Sequence, residues 1–207
     1  MATDVTAELS AIQRADAHII FTIFSATVGI TFAKQIGDLQ IPVAQVGINV
    51  EAQKEGFMEA TGGKGNYVMT LNTYGPGVEY NELTKPFMDS YVKRFGEEPV
   101  YNAATRDAIH MLVECAKRAE SLDSDNIVVE LEKWDEKIPT GRLKFNKDHD
   151  PIWGPGYLTG LGVQWQDGKM VGVWPNHWKA TPEAPEITYK GIKPYKLPPW
   201  FIQKYKK

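Results

Sequence analysis

The first eighty residues alternate between short apolar runs and amphipathic stretches. HIIFTIF (18–24) is a continuous apolar, β-branched run, which is typical of a strand covered on both faces. SATVGITFAKQIGDL (25–39) repeats apolar residues every four positions and predicts a helix that ends before Pro42. VAQVGI (43–48) predicts a second buried strand, and NYVMTLNTY (66–74) predicts a third. Alternation of this kind predicts an α/β fold with a parallel sheet and helices on both of its faces.

The rest of the chain is first helical and then extended. Three amphipathic stretches predict helices: NELTKPFMDSYVKRFG (81–96), TRDAIHMLVECAKRA (105–119) and NIVVELEKW (126–134). TGRLKF (140–145) predicts a short strand, and LGVQWQDGKMVGVWP (161–175) predicts a β-hairpin that turns at Asp167-Gly168. After Pro175, a proline- and lysine-rich aromatic tail indicates extended structure that wraps around other elements.

Composition excludes several classes of function. Hydrophobic residues make up 43% and charged residues 24% of the chain, a mixture that can bury a core. The net charge of −3 gives no electrostatic case for nucleic-acid binding. Cys115 is the one cysteine, so neither an intrachain disulfide nor a cysteine-based zinc cluster can form. The N-terminal MATDVTAEL has no signal-peptide pattern.

Catalytic signatures are missing, so we expect no enzyme activity and no cofactor. There is no Gly-x-Ser-x-Gly elbow, and TGGKG (61–65) lacks the first glycine and the Ser/Thr of a phosphate loop. The four histidines are far apart, with no HExxH pattern. KDHDP (147–151) places two aspartates beside a histidine, but without calcium-loop spacing a solvated turn is favoured over a metal site.

Polar and aromatic side chains follow each predicted strand of the parallel sheet. Phe24, Ser25 and Thr27 follow the first strand, Asn49 the second and Tyr74 the third. The carboxyl ends of parallel strands form the ligand crevice of an open sheet, so these residues are candidates for small-molecule binding. Ser25, Thr27 and Asn49 are equally candidates for capping the helices that follow. The two roles are compatible, because a capping residue can still face a ligand.

Several longer stretches resemble one family. The segment from DVTAELSA to GINVEA (4–52) resembles the second half of the leucine/isoleucine/valine-binding proteins, the type I periplasmic receptors of ABC transporters. FGEEPVYNAATRDAIHMLVECAKRA (95–119) is similar to the family's connector and "YDA" helix, with Arg106 in place of the tyrosine. TGRLKFNKDHDP (140–151) and VQWQDGKMVGVWP (163–175) are similar to a "G-x-I-x-F-D" strand and a late hairpin. The matches keep their order along almost the whole chain.

The resemblance implies a partial type I periplasmic-binding-protein fold that holds pieces of two α/β lobes. Residues 1–80 would be part of the second lobe, 81–160 would return to the first lobe, and 161–207 would form a hairpin that crosses back and a wrapping tail. The first lobe's sheet and the start of the second would precede Asp4. Incomplete sheets expose strand edges, so we expect a homodimer, a strand-exchanged oligomer or completion by a partner segment.

The resemblance also implies a function. Such receptors are extracytoplasmic, and they close two lobes on a small ligand and deliver it to an ABC permease. The alternative is a ligand-sensing regulatory module of the same fold, and an α/β enzyme is disfavoured. A chain without the first lobe's sheet is expected to bind its ligand weakly or not at all.

Residue by residue, the family's binding positions suggest the ligand's chemistry. Phe24 lies where amino-acid-binding members carry an aromatic that packs on the ligand, and Asn49 lies where they carry a glutamate that pairs with the α-ammonium group. An amide supplies no charge. Either Glu51 substitutes, or the ligand is a carboxylate, an amide or an aromatic acid instead of a standard amino acid. Tyr101 and Ala103 lie in the connector that lines the family's side-chain pocket.

Overall fold

The computed structural model describes residues 3–182 and 184–206. The chain divides into two compact units, each built from separate stretches of sequence. Unit 1 comprises Met1–Pro76, Leu161–Trp174 and Ile192–Lys207. Unit 2 comprises Gly77–Gly160 and Pro175–Gly191. The polypeptide therefore passes from one unit to the other four times.

The predicted helices and strands occur in the predicted order, together with short elements that were not predicted. The helices are α1 (Thr6–Arg14), α2 (Val28–Leu39), α3 (Phe57–Ala60), α4 (Thr84–Phe95), α5 (Thr105–Ala119), α6 (Ser124–Glu132) and α7 (Pro199–Tyr205). The strands are β1 (Ile19–Phe24), β2 (Ala44–Asn49), β3 (Met69–Asn72), β4 (Asp135–Ile138), β5 (Gly141–Lys144), β6 (Leu161–Gln166), β7 (Lys169–Trp174), β8 (His177–Trp178) and β9 (Ile187–Thr188). Two 3₁₀ turns span Val50–Gln53 and Tyr101–Ala104. Within the described ranges, no helix is long and apolar enough to cross a membrane.

Unit 1 contains the predicted parallel strands and the predicted hairpin. β1 and β2 pair in parallel, and a parallel bridge between Gln45 and Val68 places β3 on the other side of β2. β6 pairs antiparallel with β3 and with β7. The β6–β7 turn has positive φ at both Asp167 (52°) and Gly168 (77°), as a two-residue type I′ hairpin requires. The prediction of a mixed α/β fold with a late hairpin is therefore confirmed.

The core of unit 1 lies where α1 and α2 cover one face of β1 and β2. Leu9 of α1, Ile36 of α2 and Val43 before β2 are at most 1% exposed and belong to one apolar cluster. The Phe24 ring packs on Phe32 of α2, with 4.9 Å between ring centroids. These contacts explain the four-residue apolar repeat of α2, because that repeat lines one face of the helix.

The opposite face of β1 differs from the prediction. Ile19, Phe21 and Ile23 are 64%, 68% and 74% exposed, whereas Thr22 between them is 4% exposed. The expectation of a strand covered on both faces is wrong for the described residues, since α1 and α2 lie on one face only. The apolar run indicates that both faces of β1 are suited to burial, but only one of them is buried by the described residues.

The C-terminal tail runs along unit 1. Gln164 of β6 donates to the carbonyl of Lys196 (2.8 Å) and accepts from its backbone N–H (2.9 Å). Trp200 Nε1 donates to the Ile41 carbonyl at 2.9 Å. Lys204 and Tyr205 both donate to the carboxylate of Asp16, just after α1. The tail ends in α7, a helix that the sequence reading did not predict.

Unit 2 contains the three predicted helices α4, α5 and α6. Pro86 lies in the first turn of α4, where its missing N–H has no helical partner. The predicted strand β5 pairs with β4, which was not predicted. Cys115 of α5 is fully buried, so its role is that of a small apolar core residue. Burial raises the pKa of the Cys115 thiol.

Candidate functional site

The three strand ends predicted to form one rim do lie side by side in unit 1. Phe24 at the end of β1 is directly opposite Asn49 at the end of β2. The backbone N–H of Asn49 donates to Thr70 Oγ1 of β3 (2.9 Å), and that hydroxyl also lies 3.1 Å from the Asn49 carbonyl. We refer to the carboxyl ends of β1, β2 and β3, with the residues that follow β1, as the strand-end rim.

The connection from β1 to α2 gives the rim its accessible polar atoms. Ser25 and Thr27 are exposed, and Phe24 is half-buried against α2. Thr27 occupies the N-cap position of α2, but its side chain makes no capping hydrogen bond. The capping role considered for Thr27 is therefore not realised. Two hydroxyl-bearing residues beside a partly accessible aromatic ring are the groups of the rim that a solute can reach.

Asn49 is buried instead of facing the solvent. It is 2% exposed, and its Nδ2 donates to the Gly29 carbonyl in the first turn of α2 at 3.1 Å. Its Oδ1 is buried with no hydrogen-bond partner among the described residues. The residue precedes the Val50–Gln53 turn but makes no side-chain capping bond to it, so the predicted cap is wrong. The amide instead joins β2 to α2.

Gly29 is required by that contact. A Cβ atom built at position 29 would lie 2.2 Å from Asn49 Oδ1 and 2.8 Å from its Cγ. Those distances are far below van der Waals contact, so a larger residue at position 29 would require the Asn49 side chain or α2 to move. Sequence reasoning did not single out Gly29, because the residue that requires it is twenty positions away.

The 3₁₀ turn after β2 carries two further polar side chains. Glu51, considered as a substitute acid, accepts from Lys54 Nζ at 3.0 Å, so its charge is already paired. Gln53 donates to the Leu71 carbonyl at 2.6 Å, and its Oε1 is buried with no partner among the described residues. Sequence reasoning missed Gln53 and Thr70. For Thr70 the signal was a polar residue within the apolar run of β3; Gln53 lies in the 3₁₀ turn and left no such signal.

The remaining predicted residues are not part of the accessible rim. Tyr74 lies just beyond β3 and is 0% exposed, so its ring offers no surface to a solute in this conformation. Tyr101 and Ala103 belong to unit 2, where Tyr101 is 48% and Ala103 7% exposed. Over the described residues, no group of three or more His, Cys, Asp or Glu side chains is placed to hold a metal ion.

Ala103 lines an open groove of about 860 Å³ within unit 2. Aromatic rings from α4 form much of its wall, with 4.6 Å between the ring centroids of Tyr91 and Phe95. The Arg94 guanidinium lies 5.3 Å from the Phe95 ring centroid. Arg106, at the position where the resemblance expects tyrosine, pairs with Asp107 at 2.7 Å. The groove is therefore apolar at its wall and cationic at its edge.

Comparison with known proteins identifies what the fold is similar to. Residues 1–169 match the family model described as periplasmic binding protein. A search of curated protein sequences found no significant match. The resemblance expected from the sequence and the partial type I fold are both confirmed by the family model and by solved structures.

Three solved structures illustrate the similarity. A leucine-binding protein from Thermotoga maritima is 20% identical with a TM-score of 0.69, over 83% of this chain and 48% of that one. A branched-chain amino acid transporter substrate-binding protein from Streptococcus pneumoniae, in complex with isoleucine, is 24% identical (TM-score 0.67; 82% and 47%). An ABC transporter solute-binding protein from R. palustris, in complex with benzoate, is 17% identical (TM-score 0.63; 92% and 50%). The chain spans about half the length of each.

Proposed function

The chain belongs to the periplasmic binding protein family, and from that premise we propose that it is part of an extracytoplasmic receptor that delivers a small solute to an ABC permease. The solved relatives include solute-binding proteins of ABC transporters. The observation that carries the proposal is the strand-end rim, where Ser25 and Thr27 are exposed beside the ring of Phe24. In this proposal unit 1 is part of the second lobe, and unit 2 contributes to the first.

The charges at the rim favour a ligand without an α-ammonium group. A cation at this place needs a carboxylate, because a charge-assisted hydrogen bond compensates for lost hydration better than a neutral one does. Asn49 carries no charge and donates to Gly29, and the Glu51 carboxylate is paired with Lys54. The accessible hydroxyls of Ser25 and Thr27 can donate to an anionic or neutral oxygen.

We therefore propose that the ligand is a small carboxylate or amide with an aromatic or branched apolar body. The half-buried ring of Phe24 offers an apolar surface for such a body. Tyr101 and Ala103, which belong to unit 2, are further candidate ligand residues on the ground of the resemblance alone. The benzoate complex of the R. palustris relative is an example of a carboxylate ligand of this kind, and the isoleucine complex represents the competing chemistry.

A titration followed by nuclear magnetic resonance tests this proposal. We expect benzoate and benzamide to shift the amide signals of residues 24–28 of the ¹⁵N-labelled chain at millimolar concentration, with no comparable shift from isoleucine. The Ser25→Ala and Thr27→Val variants should weaken the effect several-fold, while Ser124→Ala, at an exposed serine of unit 2, should not. Micromolar binding of isoleucine or leucine would contradict both the proposed ligand class and the argument from Asn49.

A further inference from the structure

Three lysines from separate parts of unit 1 line one open pocket. Lys169 belongs to the start of β7, and Lys193 and Lys196 belong to the C-terminal tail. The pocket has a volume of about 510 Å³, and Val171 and Pro194 are the apolar residues of its wall. All three lysines are exposed, so a solute can reach their side chains. We call this the lysine pocket.

Two buried glutamines of β6 hold the tail against the hairpin at this place. Gln166 Nε2 donates to the Pro194 carbonyl at 2.9 Å, and Gln164 pairs with both the N–H and the carbonyl of Lys196. The two glutamines are 7% and 0% exposed, respectively. The N–H of Lys193 also donates to a carbonyl of β7 at 2.8 Å. The backbone that carries the tail lysines is therefore fixed before any ligand binds, which lowers the entropic cost of binding.

The charge balance of the lysine pocket is positive. Of the described residues that line it, Asp167 is the one acidic residue, and it accepts from Lys196 Nζ at 2.7 Å. Lys169 and Lys193 form no ion pair with any described carboxylate. Three lysines against one aspartate leave two positive charges without compensation among the described residues of the pocket.

The presence of Asp167 is explained by the turn between β6 and β7. Asp167 has a φ of 52°, and Asp, Asn and Gly are the residues that a type I′ turn favours. The N–H of Gly168 donates to Asn66 Oδ1 at 2.9 Å, which fixes the turn further. Neither feature needs the charge of the carboxylate. The binding chemistry of the pocket can therefore be assigned to its lysines.

The lysine pocket is separate from the strand-end rim. β3 and β6 are antiparallel, and Asn72 at the carboxyl end of β3 is opposite Leu161 at the start of β6. Gln166, which lines the pocket, is at the other end of β6. The two sites therefore lie at opposite ends of the β3–β6 pair and share no residue.

We propose that the lysine pocket binds a phosphate group. Two uncompensated positive charges match a phosphate dianion better than a monovalent carboxylate. Phosphate also carries several acceptor oxygens, so Lys169, Lys193 and Lys196 can each donate a charge-assisted hydrogen bond to a different one. The group belongs either to a soluble phosphate compound or to the headgroup of an anionic lipid. This site is independent of the ligand that the strand-end rim binds.

Titration of the ¹⁵N-labelled 207-residue chain with inorganic phosphate and with pyrophosphate tests the proposal. We expect the amide signals of residues 167–171, 193 and 196 to shift at low ionic strength, where charges are screened least. Sodium chloride at matched ionic strength should not reproduce these shifts. Shifts without vesicle binding identify a soluble compound. Sedimentation with phosphatidylglycerol vesicles but not with phosphatidylcholine vesicles identifies a lipid headgroup.

Variants that change the charge of the pocket have opposite expected effects. Lys169→Gln and Lys193→Gln should each weaken binding about threefold, the size typical of one exposed charge contact. Asp167→Asn should strengthen binding about threefold, because it removes an opposing charge and asparagine keeps the turn. Lys147→Gln and Asp148→Asn are the matched controls, since both residues are exposed in unit 2.

Three results would overturn the proposal. The first is the absence both of amide shifts beyond those that sodium chloride produces and of binding to anionic vesicles. The second is a set of shifts that Lys169→Gln and Lys193→Gln leave unchanged, which would place the anion elsewhere. The third is weaker binding by Asp167→Asn with an unchanged circular dichroism spectrum, because the carboxylate would then contribute to binding instead of opposing it.

Discussion

At the scale of single residues, Asn49 illustrates how a polar side chain can hold two elements together near a binding rim. Its Nδ2 donates a hydrogen bond to the Gly29 carbonyl, while its Oδ1 has no partner among the described residues. Leaving a buried acceptor unpaired costs about 1–3 kcal/mol. That cost is tolerated where the surrounding contacts fix the residue, and here Thr70 holds the backbone of Asn49 through both its N–H and its carbonyl.

The contact between α2 and β2 predicts the effect of a single methyl group. We expect Gly29→Ala to lower the free energy of unfolding by about 1–3 kcal/mol, because the new Cβ would overlap the buried Asn49 side chain and force that side chain or α2 to move. Gly56→Ala is the control, since nothing lies within 4 Å of a Cβ at that position and its φ of −69° suits alanine.

Urea denaturation followed by circular dichroism measures both glycine variants. An unchanged unfolding midpoint for Gly29→Ala would show that α2 and β2 can separate without loss of packing. We expect Gly56→Ala to stay within about 0.5 kcal/mol of the parent chain, as is usual for surface substitutions.

At the scale of elements, α7 is attached to unit 1 by charge as well as by aromatic packing. The Tyr205 ring stacks on His18 with 4.3 Å between centroids, and the Tyr205 hydroxyl donates to Asp16 at 2.9 Å. Hydrogen bonds from Lys204 and then from Tyr205 lower the pKa of Asp16 below its ordinary value of 3.8. The ionised form of Asp16 is therefore the form that retains α7.

The direction of that shift determines how attachment of α7 depends on pH. Because the folded-state pKa of Asp16 lies below 3.8, its contribution is fully present above that value and is lost as the pH falls through the folded pKa. Hydrogen exchange should show α7 losing protection below about pH 4 in the parent chain. In the Asp16→Asn variant, α7 should lack this hydrogen-exchange protection already at neutral pH.

Asp148→Asn is the control for this measurement, because Asp148 is an exposed aspartate of unit 2. Its exchange profile in α7 should match that of the parent chain. If Asp16→Asn kept normal protection at neutral pH, the aromatic contacts of His18, Phe201 and Tyr205 alone would be sufficient to retain the helix.

At the scale of the whole molecule, both units carry apolar side chains that water reaches. In unit 2 they lie on the helices α5 and α6: Ile109 (59%), Leu112 (50%), Val113 (45%), Val128 (41%) and Val129 (48%). Exposed single apolar residues are ordinary, but a contiguous set on neighbouring helices favours association. In unit 1, the exposed side chains of Ile19, Phe21 and Ile23 on one face of β1 have the same property.

We expect the chain to bind the dye ANS at neutral pH while it remains folded. Replacing Ile109, Leu112 and Val113 together by glutamine should reduce ANS fluorescence by roughly a third or more, because exposed apolar surface is removed. The thermal midpoint should stay within about 2 °C, since these side chains are already in water. Lys117→Gln on the same helix is the control, and a large loss of stability in the triple variant would show that the residues are packed.

The sequence was sufficient for the features that local patterns determine. Alternating strands and helices, the hairpin that turns at Asp167-Gly168 and the helices of unit 2 were all predicted, because each is encoded by periodicity or turn chemistry within a few residues. α7 was missed in a proline-rich tail, although Pro199 at its first position is a recognised start signal.

Features that depend on distant partners could not be predicted in the same way. Local sequence shows that β1 is suited to burial, but only the tertiary structure shows that Phe21 lacks a cover. The prediction that the strand ends share a rim was correct, whereas the buried state of Asn49 depends on Gly29 and Thr70, about twenty residues away on either side. The ligand role of the rim residues stays a prediction.

The fourfold passage of the chain between its two units has a consequence for proteolysis. A single protease cut between Gly160 and Leu161 leaves part of each unit on each fragment. β3 of the N-terminal fragment still pairs with β6 of the C-terminal fragment. Trp200 Nε1 of the C-terminal fragment also donates to the Ile41 carbonyl of the N-terminal fragment. A nicked sample should therefore migrate as two bands under denaturing conditions and as one species in its native form.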